Sequence, residues 1–246
     1  MELHDAAAQL SKSIQASDYI VFFGGAGVST ESGIPDFRSA DGIYAQDKTP
    51  VPPEEILHIN FFKHQPQIFY DFYFKNFIHE AAGPNAAHIK LAALEREGRV
   101  KAVITQNVDG LHQRAGSKAV YELHGSMHRN YCTACKKNFS LSEILPPSGI
   151  KNYVPYCTCG NIIKPDIVLY GEQLDPETLQ AAIRHIEKAD MLIVGGTSLS
   201  VYPAAALIHY FTGKTLVLIN RDITPYDDKA GLVIHAPIGE VLSRCA

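Results

Sequence analysis

The sequence predicts an α/β protein, a doubly wound, mostly parallel sheet with a smaller lobe inserted into it. Three observations carry this. Apolar, β-branched runs recur along the 246 residues, and most are nearly continuous, as in parallel strands covered on both faces. Helical stretches lie between many of them, and such alternation builds a layered sheet. Two segments, 41–82 and 126–165, break the rhythm and read as insertions.

Taken in order, "MELHDAAAQLSKSIQASDY" reads as an amphipathic helix, without the basic start and apolar centre of a signal peptide. "DYIVFFGG" (18–25) is the first strand. A glycine turn follows, and then 41–82, with no clear strand but an aromatic helical run, "PQIFYDFYFKNFIHEAA". A helix starts at Asn85, a good cap, and stops near Gly98. "VKAVITQN" (100–107) and "AVYELHG" (119–125) are strands. Residues 126–165 hold cysteines, prolines and little periodicity. Asp175, with Pro176 and Glu177 behind it, starts the next helix. The strands "DMLIVGGTS" (190–198), "TLVLIN" (215–220) and "GLVIHA" (231–236) complete the sheet, with a helix after Pro203. Strand order is left open.

Composition removes some functions. Lys and Arg total 22 against 26 Asp and Glu, a net charge of −4, which argues against nucleic acid as a partner. No run reaches the roughly 18 apolar residues of a membrane span, so no membrane partner is expected and the expected compartment is the cytoplasm. The oligomeric state is open, and a monomer is compatible with everything in the chain.

In "FFGGAGVSTESGIPDFR" (22–38), Gly25, Ala26 and Gly27 allow a sharp turn and close approach to a ligand. Ser29 and Thr30 can cap a following helix and bond phosphate oxygens, and the N-terminus of that helix would face a diphosphate. The fit to G-x-G-x-x-G is incomplete, because position 30 is Thr, and a plain strand-to-helix turn explains it equally well. "GIPDFR" reads either as a surface turn with an Asp36–Arg38 pair or as a mobile flap in which Phe37 covers a reactive ring. The acidic residue that dehydrogenases place about 20 residues further on is absent. "TQNVDGLH" (105–112) puts Gln106, Asn107 and Asp109 at the mouth of a core strand, where desolvation is costly. Either a polar ligand satisfies them or they form a solvated Asx turn.

"CTAC" (132–135) and "CTCG" (157–160) are separated by 21 residues. Cys132, Cys135, Cys157 and Cys159 can supply four thiolates to one tetrahedral zinc. A closed site of this kind is structural. His128 is a possible substitute ligand, which four cysteines make unnecessary; Cys245 reads as a free thiol.

Together these motifs resemble the sirtuins, NAD-dependent protein lysine deacylases, and most closely the short bacterial type. The resemblance runs from about residue 10 to 242. It rests on "GAGVS" (25–29), "GIPDFR" (33–38), "TQNVDGLH", "HG" (124–125), both cysteine pairs, "KPDIVLYGE" (164–172), "GGTSLSVYPAA" (195–205) and "IN" (219–220). It implies a Rossmann-like NAD-binding lobe of 1–40, 83–125 and 166–246, and a small zinc-binding and helical lobe of 41–82 and 126–165. It implies NAD as co-substrate, structural Zn²⁺, and acetylated lysine-containing proteins or peptides as partners. In the implied reaction the acetyl-lysine oxygen attacks the nicotinamide ribose and nicotinamide leaves. The acetyl group ends on ADP-ribose, as O-acetyl-ADP-ribose. The alternative is mono-ADP-ribosyl transfer to a protein.

By that resemblance His124 is the catalytic base and Asn107 a second catalytic residue. Gly25, Ala26, Gly27, Thr30, Asp36, Phe37 and Arg38 meet the cofactor near its diphosphate and flap. Gln106, Val108 and Asp109 line the nicotinamide pocket, Gly196, Thr197 and Ser198 hold phosphate or ribose, Asn220 the adenosine ribose and Ile238 the adenine. Val168, Gly171, Glu172 and Val201 border the peptide channel. Three positions depart from the family pattern. Tyr170 stands where Phe is usual, and Lys164 replaces a common Arg with little expected consequence. Tyr73 and Asn76 match the Tyr-x-x-Arg of members that take acidic acyl groups, and the missing guanidinium disfavours such groups here.

Overall fold

The computed structural model describes residues 2–46 and 49–245. Met1, Asp47, Lys48 and Ala246, included in the lobe ranges above, lie outside the described residues.

Six strands form a parallel sheet: β1 (Ile20–Gly24), β2 (Val100–Thr105), β3 (Val120–Glu122), β7 (Met191–Gly195), β8 (Thr215–Ile219) and β9 (Leu232–Ile234). Their order is β3-β2-β1-β7-β8-β9, and every pairing is parallel. The chain winds outward twice from β1 and β7, so the topology reverses between them. In such sheets ligands bind beyond the strand ends at that reversal.

The continuous apolar runs have a simple cause. Ile20 and Phe22 of β1 pack on one face beneath the helices Leu3–Gln15, Ala86–Arg96 and Ile238–Ser243. Val21 and Phe23 pack on the other, beneath Pro176–Lys188 and the 3₁₀ helix Ala204–Tyr210. The helix boundaries follow the expected chemistry. The Asn85 side chain accepts from the Ala87 N–H, and Gly98 ends that helix at φ +73°. Asp175 accepts from the Thr178 N–H at 2.7 Å.

A second sheet is antiparallel, in the order β5-β4-β6: β4 (Gly125–Cys132), β5 (Asn138–Ser140) and β6 (Ile163–Ile167). The ends of the 126–165 range therefore fall inside β4 and β6. The aromatic helix Pro66–Phe77 buries Phe69, Tyr70, Phe72 and Tyr73 against Met127, Ile167 and Leu169, tying the helical segment to these strands.

Candidate active site

A cleft of about 370 Å³ opens where the topology reverses, between the two sheets. The loops after β1 and β7 meet there backbone against backbone. The Gly27 N–H donates to the Gly196 carbonyl at 2.8 Å. A Cβ on Gly196, which sits at φ +58°, would come within 2.4 Å of the Val28 nitrogen. Only glycine permits this approach.

The loop after β1 corrects one expectation. No helix follows it, only the 3₁₀ turns Ala26–Val28 and Thr30–Ser32. The N–H groups of Gly25, Gly27, Val28 and Ser29 are all bonded within the protein. Ser29 and Thr30 do not cap a helix either. Thr30 Oγ1 donates to the Gly27 carbonyl, and the Ser29 hydroxyl to Asp109 Oδ2 at 2.6 Å.

The polar residues beyond β2 are neither solvated nor left unpaired. Asn107 Nδ2 donates to Ser29 Oγ at 3.1 Å, which donates on to Asp109. Asp109 Oδ1 accepts from the Leu111 N–H. Gln106 Nε2 donates to Thr197 Oγ1 at 3.1 Å, linking the β2 and β7 loops. This chain of bonds lowers the cost of burying Asn107 and Asp109 and turns the Asn107 nitrogen toward Ser29.

His124 follows β3 and is half-buried at the cleft. Its Nδ1 lies 3.0 Å from the Gln106 carbonyl, which can only accept. Nδ1 therefore carries the proton, and Nε2 of the neutral ring holds a lone pair. Burial lowers its pKa, and the bond to Gln106 opposes that in part.

Asp36 corrects the reading of the flap as a turn with an Asp36–Arg38 pair. Its Oδ1 accepts from the Arg38 and Ser39 N–H groups, and its Oδ2 pairs with Arg221 at 3.4 Å. The Arg38 guanidinium instead lies 5.5 Å over the Tyr44 ring. Phe37 packs edge-on against Tyr44 and Phe77.

Every expected cofactor, catalytic and peptide residue lines this one cleft: Gly25, Ala26, Gly27, Thr30, Asp36, Phe37, Arg38, Gln106, Asn107, Val108, Asp109, His124, Val168, Gly171, Glu172, Gly196, Thr197, Ser198, Val201, Asn220 and Ile238. Asn76 lines it as well, whereas Tyr73 is buried in the aromatic cluster. Tyr44, Tyr202 and Arg221 line the cleft beyond the expected residues, and so does Ser29, expected as a helix cap and phosphate donor. Ser29 was within reach inside "GAGVS", and Arg221 adjoins Asn220; Tyr44 lies in a segment without periodicity.

The four sulfurs of Cys132, Cys135, Cys157 and Cys159 lie within 4.8 Å of one another. Cys132 Sγ lies 3.4 Å from Cys159 Sγ, and Cys135 Sγ 3.6 Å from Cys157 Sγ. Thiolates at roughly 2.3 Å from a tetrahedral zinc stand about 3.8 Å apart, so the set fits that ion. His128 is not part of it, because its Nε2 donates to the Asp109 carbonyl at 3.0 Å. Cys245 is a buried free thiol.

The Sir2 family profile matches residues 25–203. An NAD-dependent protein deacetylase of Clostridium acetobutylicum is 53% identical over 244 residues, covering 98% of each chain. One of Cutibacterium acnes is 53% identical, covering 96% of this chain and 95% of its own. Among solved structures, a Sir2 variant with a deacetylated p53 peptide and 3′-O-acetyl-ADP-ribose superposes with a TM-score of 0.89 at 39% identity, covering 96% of both chains. A Sir2 complex with a p53 peptide and NAD⁺ gives 0.85 at 41% identity, covering 96% and 95%.

Proposed function

The chain belongs to the Sir2 family, and we propose that it is an NAD-dependent protein lysine deacetylase that moves the acetyl group to ADP-ribose. The observation that carries this is His124, a neutral imidazole with its proton fixed on Nδ1 and Nε2 left as a base in the cleft. Bound NAD supplies a weak glycosidic bond, and its cleavage releases nicotinamide and provides the acyl acceptor.

The residues divide the work by position. Gly25, Ala26, Gly27, Thr30, Gly196, Thr197 and Ser198 take the diphosphate side, with Asn220 and Ile238 at the adenosine end. Gln106, Val108 and Asp109 hold the nicotinamide and its ribose, and Asn107 orients the reacting sugar, its own amide held by Ser29. Asp36 and Arg38 shape the flap. Phe37, on its aromatic seat, keeps water from the reacting carbon. Val168, Gly171, Glu172 and Val201 receive the peptide as an added strand. Holding a weak amide nucleophile in line with the sugar supplies much of the acceleration.

The chain divides into a nucleotide-binding lobe of 1–40, 83–125 and 166–246 and a zinc-braced lobe of 41–82 and 126–165, with the cleft between. The four thiolates would hold zinc as a brace, and four reduced thiols suit the cytoplasm. Neutral short acyl groups are the expected substrates, because Asn76 offers no guanidinium to a carboxylate.

The test is a panel of acyl-peptides with NAD, read by mass spectrometry. The wild type should remove acetyl, and His124→Ala should lose at least about 10²-fold in rate. The acid limb of kcat/KM should fall below pH 6.5, because burial lowers the His124 pKa. Full activity in His124→Ala, or ADP-ribose gained on protein in place of acetyl lost from peptide, would refute the assignment.

A further inference from the structure

Lys164 is buried at 4% exposure on β6, its ammonium 5.7 Å over the Tyr131 ring. Its Nζ lies 2.9 Å from Glu172 Oε2, 2.8 Å from the Ile167 carbonyl and 3.3 Å from the Pro165 carbonyl. Three donors thus meet three acceptors, which uses the full capacity of an ammonium. Glu172 Oε2 also accepts from the Leu169 N–H at 2.9 Å. The ammonium therefore ties down both ends of the 167–172 segment.

The rest of that segment is pinned by its backbone. The Val168 N–H donates to the His124 carbonyl at 2.9 Å. Tyr170 exchanges bonds with Leu57 and Ile59, each 2.9 Å. Among the described residues, the Val168 carbonyl and the Gly171 N–H have no hydrogen-bond partner, and both residues line the cleft. Those are the groups an added strand would pair with.

We propose that Lys164 is a positioning residue for the acyl-peptide: through Glu172 and the Ile167 carbonyl it holds the 167–172 backbone at the spacing a peptide strand requires. This rests on the deacetylase reading and goes beyond it. A buried charge removed from one side of a pair leaves the other uncompensated. Here the uncompensated group is Glu172, at the peptide's edge of the cleft.

The experiment compares Lys164→Met and Lys164→Arg with the wild type. It reads KM for acetyl-peptide, KM for NAD, kcat, and amide exchange at residues 168–170 in the ligand-free protein. Lys164→Met should raise the peptide KM about tenfold or more, with kcat and the NAD KM within about twofold. Exchange at Val168, Leu169 and Tyr170 should quicken while β1 and β7 stay protected. Lys164→Arg, whose fork can still hold a carboxylate and a carbonyl, should restore both. If Lys164→Met does not fold, Lys164→Met with Glu172→Gln removes both charges and is read by exchange in the same way. Unchanged peptide KM and exchange, or a loss shared equally by NAD and peptide, or no recovery in Lys164→Arg, overturns the proposal. If the wild type removes no acetyl group, the deacetylase reading fails alone, and exchange still decides the role of Lys164.

Discussion

In the six-stranded sheet, residues of β1 point alternately into two apolar layers, each roofed by helices. In the cysteine module, the buried cluster among the described residues is Cys132, Ile144, Cys157 and Ile163, with Phe139 and Leu141 beside it. The first region buries enough apolar surface to hold its own shape. The second does not, and segments so poor in core require a metal or disulfide to stay folded. The active site depends on both. The sheet provides the crests of β1 and β7, whereas β4 props the 106–110 loop from the other side. Met127 donates its N–H to the Val108 carbonyl and His128 its Nε2–H to that of Asp109, each at 3.0 Å. The strand that carries these props ends at Cys132, so the brace and the cofactor loop share one rod.

Metal removal should break the comparison most sharply. A strong chelator, or Cys157→Ser, should abolish deacetylation and release amide protection across 125–167, while β1, β2 and β7 remain protected. Structural zinc sites are worth about 10–16 kcal/mol in apparent binding, far more than any single contact in the sheet. Exchange mapped by mass spectrometry checks this. Full activity in the metal-free protein would contradict it.

Acid should act in the opposite place. His88 and His112 are buried behind the cofactor loop, with ring centroids 4.6 Å apart. Burial pushes their pKa values down, to about 4 for His88, with Asp109 opposing in part, and to about 3 for His112. Both are neutral in the fold, and the unfolded chain takes up protons first. Stability is therefore complete above the ordinary value of 6.5, falls as pH drops through it, and levels off below the folded values. His112 alone should cost of order 2 kcal/mol at pH 5. Urea midpoints at pH 7.5 and pH 5 should separate for the wild type and draw together in His112→Leu. Equal pH slopes in the two proteins would refute this.

The smallest effect belongs to a cap. Asn85→Ala removes the bond to the Ala87 N–H and those from Nδ2 to the Val28 carbonyl and Ser32 Oγ. It should lower urea stability by about 1 kcal/mol and leave metal content unchanged.

The same contrast decides what the sequence made legible. The strands of the large sheet stand out because burial on both faces leaves them almost wholly apolar. β4 and β6 do not, because "GSMHRNYC" and "IKPDI" mix charge, amide and a proline, in strands of a small three-stranded sheet. The metal set was readable from spacing alone, because four thiols converge wherever the turns allow. The 105–112 loop was readable as a question. Its answer needed Ser29, which is distant in sequence and meets Asn107 and Asp109 only in the fold. Tyr44 was invisible because its segment carries no periodicity. The sequence predicts a helix start after β1 because glycine, serine and threonine favour caps, whereas in the fold the end of β7 and its loop take up the Gly25 and Gly27 N–H groups and the turn's own carbonyls those of Val28 and Ser29.

The deacetylase assignment requires that the cleft couple breakage of the nicotinamide bond to capture of an acyl oxygen. The direct measurement is the stoichiometry of products when acetyl-peptide and NAD are supplied together and separately. One nicotinamide and one O-acetyl-ADP-ribose should appear for each acetyl lost, with little nicotinamide released when peptide is withheld. Nicotinamide formed at the same rate without peptide, or free acetate formed without NAD, would contradict it.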